Sequence, residues 1–120
     1  MTTRETIQSY FKSLSAKNGW EAFLSDDMAF TSFTSPVKHV TGRDAYLGAT
    51  KGFFSMIKAL EIKSILVDGE RACTVARYEL QAPVGPAFES HVAELFEVRD
   101  GTIKSLEIYF DSAPFPKPKS

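Results

Sequence analysis

FESHVAELFEVRDGTIKSLEIYFD, residues 88–111, decides the fold of this chain. Two runs rich in β-branched and aromatic residues, Phe88–Val98 and Ile103–Asp111, flank Asp100-Gly101. An Asp-Gly pair between alternating runs is a strong hairpin signal, because both turn residues must take positive φ. The same device occurs upstream, where Glu61–Val67 and Arg71–Gln81 flank Asp68-Gly69. Pro83-Val84-Gly85-Pro86 supplies the turn between the two hairpins. From Glu61 onward the chain reads as a meander of long antiparallel strands.

Before Glu61 the period changes. Ile7, Tyr10, Phe11 and Leu14 fall on one face at helical spacing, which predicts a first helix from about Thr3 to Ala16. Thr2 and Glu5 have capping-box spacing. Asn18-Gly19 breaks this helix, and a short second one carries Trp20, Phe23 and Leu24. A strand over Met28–Thr34 ends at Pro36, and a shorter one follows over Val37–Thr41. A third helix begins after Thr41, with Asp44 placed to complement its N-terminus. Tyr46, Ala49, Phe53, Ile57 and Leu60 form its apolar stripe. Gly48 and Gly52 weaken it by roughly 1 kcal/mol each against Ala, and leave room for the close approach of a bulky group. Helices first and strands after predict an α+β class, with residues 1–120 as one domain.

Composition narrows the functional classes. At 120 residues, 43% hydrophobic and 24% charged, the chain is ordinary for a globular domain. A net charge of −1 offers no electrostatic footprint for nucleic acid or an anionic membrane. No apolar run approaches the roughly 20 residues that span a bilayer. The first residues lack a signal-peptide core, so a cytoplasmic location is expected. Cys73 is the single cysteine, which excludes an intrachain disulfide and a CxxC motif. Neither His39 nor His91 has metal-ligand spacing with it, so no metal and no cofactor are expected. The ten Phe residues can line a cavity as well as fill a core.

A regular ladder around a two-residue Asp100-Gly101 turn pairs Val98 with Ile103, Phe96 with Ser105, Glu94 with Glu107, Val92 with Tyr109 and Ser90 with Asp111 on one face. The other face pairs Glu97 with Lys104, Leu95 with Leu106, Ala93 with Ile108 and His91 with Phe110. The second face is the more apolar. Periodicity leaves open which of the two meets the helices.

Three stretches carry a resemblance: Val40-Thr41-Gly42-Arg43-Asp44-Ala45, Phe96-Glu97-Val98-Arg99-Asp100-Gly101-Thr102-Ile103, and Tyr109-Phe110-Asp111. In this order the chain resembles the NTF2-like superfamily, in its SnoaL-like branch. The resemblance implies a cone: a curved antiparallel sheet wrapped over three N-terminal helices, with a pocket between. It also implies that Asp111 and Tyr109 point inward. Leu106, Ile108 and Phe110 would then lie on an outer face used for homodimerisation. The partner implied is a small apolar or polycyclic molecule.

Three chemistries follow from that resemblance. Arg77-Tyr78-Glu79 falls where limonene-epoxide hydrolases carry an Arg-x-Asp pair, and Asp111 falls at their second Asp. Glu79 would then be the acid, Asp111 the water-activating base and Arg77 the bridge between them. Glu79 is a methylene longer than the family residue, and Ser32 and Thr34 stand where that family places Tyr and Asn. In a SnoaL-type polyketide cyclase, an Asp at the position of Asp111 is the general acid–base, with Trp20, Phe30, Tyr46, Phe53 and Phe96 as walls. In a steroid isomerase, Tyr10 would match the oxyanion-hole tyrosine, but Ser32 stands near the general base and cannot shuttle a proton at neutral pH. Glu94, opposite Glu107, would form a like-charge pair if buried. A non-catalytic binding or assembly module on the same scaffold is the alternative from a different class.

Overall fold

The computed structural model describes residues 1–34 and 37–115. The expectations placed on Pro36 and on residues 116–120 lie outside the described residues. The chain order is α1 (Thr3–Ser15), a 3-10 turn (Trp20–Phe23), β1 (Leu24–Ser32), β2 (Lys38–Thr41), α2 (Arg43–Met56), β3 (Ile57–Asp68), β4 (Arg71–Leu80), β5 (Phe88–Arg99) and β6 (Thr102–Phe110). The strands form one six-stranded sheet in the order β2-β1-β6-β5-β4-β3. All neighbours are antiparallel except β1 and β6.

The expected α+β architecture is present, with two α-helices and a 3-10 turn where three helices were expected. The capping box is made: Thr2 Oγ1 accepts from Glu5 N, and Glu5 Oε1 accepts from Thr2 N. The buried face of α1 is Thr6, Ile7, Tyr10, Phe11 and Leu14, which matches the helical spacing. The third predicted helix stops earlier than its stripe suggests. Ile57 and Leu60 belong to β3, where they pair with Leu80 and Tyr78. An apolar residue at such a boundary fits a helix face or a strand face equally well, and here the segment's backbone groups are satisfied by pairing with β4. Gly48 and Gly52 are exposed, and a Cβ added at either meets nothing within 4 Å, so no bulky group approaches them.

The Asp100-Gly101 turn is as expected. Both residues have positive φ, and Arg99 faces Thr102. In the upstream hairpin the two turn residues are Gly69 and Glu70, one place later than the Asp-Gly reading, since Asp68 pairs with Arg71.

The decisive departure lies just beyond the last turn. Val98 faces Ile103, but Glu97 faces Ser105, so Lys104 is an extra residue in β6. This β-bulge shifts the register by one and turns every later side chain to the opposite face. Glu94 faces Ile108 instead of Glu107, and Phe96 faces Leu106. Leu106 and Ile108 are buried inside the cone, while Glu107 and Tyr109 lie on the outside. The outward assignment of Leu106, Ile108 and Phe110 is therefore corrected, as is the inward assignment of Tyr109. The physical reason is burial: enclosing Leu106 and Ile108 contributes about 3–6 kcal/mol together. The regular register would instead have enclosed Glu107 beside Glu94.

Candidate functional site

Beneath the curved sheet, α2 covers a cavity of about 260 Å³. Its walls are mainly Phe30, Tyr46, Phe53, Phe54, Ile108 and Phe110. β1 supplies Phe30, α2 supplies Tyr46, Phe53 and Phe54, and β6 supplies Ile108 and Phe110. The aromatic rings brace one another, with Phe30 and Tyr46 at 4.7 Å between ring centroids and Phe53 and Tyr78 at 5.7 Å.

One carboxyl faces this apolar space. Glu94, on β5, lines the cavity and is 3% exposed. Tyr78, also buried and also lining it, donates from its hydroxyl to Glu94 Oε1 at 2.7 Å. Burial pushes the Glu94 pKa up to about 7, and the Tyr78 hydrogen bond opposes that rise without cancelling it. The phenols of Tyr78, Tyr46 and Tyr10 are held well above their ordinary range, first by burial and then by neighbouring groups that include Glu94. At neutral pH the site thus holds one carboxyl poised between its two protonation states, surrounded by neutral hydroxyl donors.

The polar groups at the other end are Ser32, Thr34 and Lys38. Thr34 is occupied: its Oγ1 donates to Phe110 O and accepts from Phe110 N, closing the end of β6. Ser32 and Lys38 are directly opposed on β1 and β2. Lys38 is exposed to solvent while lining the cavity, which places it at the open end.

Of the residues expected to form the pocket, Phe30, Ser32, Tyr46, Phe53 and Glu94 line the cavity. Tyr10 and Phe96 are buried behind it and pack edge-to-face at 5.9 Å. Trp20 is half-buried against Phe54. Tyr109 lies on the outer face, 40% exposed and stacked on Phe33.

The expected catalytic set is not brought together. Arg77 and Glu79 do share a face, as strand alternation requires, but it is the outer one. The buried face of β4 is Ala72, Thr74, Ala76, Tyr78 and Leu80. Arg77 pairs there with Glu89 at 2.8 Å and with Glu61 at 3.7 Å. Asp111 is exposed, and its Oδ1 accepts from Ala113 N at 3.0 Å. The bulge at Lys104 is what turns its strand end away from the cavity. Tyr78, the residue between Arg77 and Glu79, is the inward group that the sequence reading passed over. A buried-face pattern of Ala72, Thr74, Ala76, Tyr78 and Leu80 was its available signal.

Among the described residues, no group of three or more His, Cys, Asp or Glu side chains could hold a metal ion. No helix among them is long and apolar enough to cross a membrane.

A curved six-stranded sheet closed by two helices around a pocket defines the NTF2-like class of α+β cones. Residues 7–106 match the model of the SnoaL-like domain, and the chain belongs to that family. Solved structures agree on the fold. An NTF2-like protein from Burkholderia thailandensis superposes with a TM-score of 0.80 at 15% identity, covering 95% of this chain and 94% of that one. A putative SnoaL-like polyketide cyclase from Jannaschia gives 0.79 at 15% identity, covering 97% and 93%. A putative ketosteroid isomerase from Kribbella flavida gives 0.74 at 22% identity, covering 98% and 83%. No curated protein matches the sequence.

Proposed function

We propose that the chain binds a small, largely apolar carbonyl compound in this cavity and moves a proton on it, with Glu94 as the acid–base group. The observation that carries this reading is the buried Tyr78–Glu94 hydrogen bond, in a cavity whose other walls are mostly apolar. A carboxyl with a pKa of about 7 can take and return a proton at neutral pH with little driving force wasted in either direction. As base, ionised Glu94 removes a proton from the carbon beside the carbonyl. The C–H electron pair moves into the forming enolate, whose oxygen is stabilised by a neutral phenol such as Tyr46. As acid, Glu94 returns the proton, and where the compound is β,γ-unsaturated it returns it to the γ carbon of the dienolate, so the C=C bond moves into conjugation with the carbonyl with no net gain or loss of atoms. This is isomerase or cyclase chemistry without a cofactor, the class named for two of the structural neighbours.

Size restricts the occupant. At protein-interior packing density the 260 Å³ cavity encloses about 190 Å³ of ligand. That suits one or two rings, and a larger polycyclic molecule would have to protrude past Lys38. The epoxide-hydrolase arrangement has no support in the geometry, because Arg77 and Glu79 sit on the far side of the sheet from the cavity. The outer face, with Leu66, Val75, Leu95 and Tyr109, is the surface through which a homodimer would form. Leu66 is 67% exposed and Val75 37%, a cost that association would remove.

The test is hydrogen–deuterium exchange of β-tetralone, a bicyclic ketone, followed by NMR in heavy water. Wild type is expected to accelerate exchange at the carbon beside the carbonyl, and Glu94→Gln to lose the acceleration. Binding of the ketone with equal exchange in both proteins would replace this reading by a non-catalytic binding module.

A further inference from the structure

The residues that face the inner side of the sheet form one continuous rung. Lys38 pairs with Ser32, Ser32 with Ile108, Ile108 with Glu94, and Glu94 with Thr74. The rung therefore runs from a cation and a hydroxyl on β2 and β1, across an apolar step on β6, to the acid on β5. Four of these residues, Lys38, Ser32, Ile108 and Glu94, line the same cavity. Lys38 makes no ion pair with a described carboxylate, whereas Lys104 on the opposite flank is engaged with Asp27 and Ser25. The Ser32 hydroxyl makes no hydrogen bond to a described residue, and the neighbouring Thr34 hydroxyl is fully used.

From this alignment we propose that the cavity selects an amphiphilic anion: an apolar molecule with a carboxylate or similar charge at one end, held by Lys38 and Ser32, and its reacting group at the other, against Glu94. The proposal deepens the acid–base reading and rests on it for the role of the Glu94 end. Strand spacing sets the length. Ser32 and Glu94 are two strands apart, about 10 Å between backbones, and Lys38 and Glu94 three strands, about 14 Å, less whatever the curvature removes. Ile108 and the phenylalanines between them offer no polar partner, so the middle of the molecule must be apolar. The two ends also differ in exposure. The acid is buried, which excludes an ionised group there, while Lys38 at the open end keeps its hydration and can meet a charge without burying it. The orientation follows: neutral end in, charged end out.

The probe is para-hydroxybiphenyl carboxylate, a rigid rod with a hydroxyl and a carboxylate at its two ends, compared with its methyl ester by isothermal titration calorimetry. Wild type is expected to bind the acid more tightly than the ester. Lys38→Met should weaken the acid about tenfold, as befits loss of one charge-assisted contact, and leave the ester unchanged. Lys38→Arg should restore the preference. Lys38 is an exposed edge-strand residue, so these variants test the ligand and not the fold. Equal affinity of wild type for acid and ester, or an acid affinity that Lys38→Met does not change, overturns the proposal while leaving the Glu94 reading intact. Failure of both compounds to bind overturns the cavity as a binding site and this proposal with it. Glu94→Gln separates the two ideas further: the acid-over-ester preference should survive it even where proton transfer is lost.

Discussion

Replacing Glu94 by glutamine should make the protein more stable at alkaline pH, and the size of that gain tests the electrostatics of the site. In the unfolded chain Glu94 ionises near the ordinary glutamate value of 4.5, and in the cone burial raises it to about 7. Between those values the native state keeps a proton that the unfolded state has released. Unfolding therefore becomes easier as pH rises through that window, and above about 7 the full cost is present. The cost is roughly 3 kcal/mol, from the free energy equivalent of that displacement. Glutamine has nearly the same shape, keeps a carbonyl oxygen for the Tyr78 hydroxyl and does not titrate. Below pH 4.5 the variant should thus match wild type, and by pH 8 to 9 it should exceed it by about 3 kcal/mol. Urea unfolding of both proteins across this range measures the difference, and every other titrating group cancels in the comparison. A difference that stays flat with pH, or that favours wild type at high pH, would show that Glu94 is not held protonated by burial.

Four further outcomes are expected. Tyr78→Phe removes the one hydrogen bond that pulls the Glu94 pKa down, so the rising limb of the pH–rate profile should move to higher pH; a limb that moves lower would contradict the pairing. Thr74 is fully buried and its hydroxyl has no hydrogen-bond partner among the described residues, so Thr74→Val should be neutral or stabilising by about 1 kcal/mol in urea unfolding, and a large loss would reveal a partner for that hydroxyl. If the outer face is the proposed dimer interface, wild type should sediment as a dimer and Val75→Lys, which puts a charge in the middle of that face, as a monomer; a monomeric wild type or an unaffected dimer would refute that interface. Asp111→Asn should retain full turnover in the exchange assay, since that carboxylate is exposed and, among the described residues, its side chain hydrogen-bonds only to the backbone of Ala113. Loss of activity there would reinstate the strand end as part of the site.

Local chemistry makes much of this molecule legible in the sequence. The capping box at Thr2 and Glu5 and the Asp100-Gly101 turn are decided by neighbours in the chain, and each matches the structure. The family resemblance supplied the cone, and of the residues expected at its pocket Phe30, Ser32, Tyr46, Phe53 and Glu94 line the cavity. What failed was the site built on Arg77, Glu79 and Asp111, and it failed at particular places. For Arg77 and Glu79 the correct signal was present, because Ala72, Thr74, Ala76, Tyr78 and Leu80 already read as a buried face. The resemblance to an Arg-x-Asp pair outweighed it. For Asp111 the signal was fainter. Ile103, Leu106, Ile108 and Phe110 are spaced by three and then by two, the mark of one extra residue in a strand.

Turn type, helix caps and the shared face of residues two apart were thus determined by sequence alone, because they depend on dihedral preferences and near neighbours. Which face of β6 meets the cavity was decided only by the tertiary structure. One bulge reverses every side chain after it, and whether the ladder bulges depends on what the opposite strands and helices offer to bury. Here they offered an apolar cone, so Leu106 and Ile108 turned in, Tyr109 turned out, Asp111 was left exposed to solvent, and Glu94 remained as the carboxyl facing the cavity.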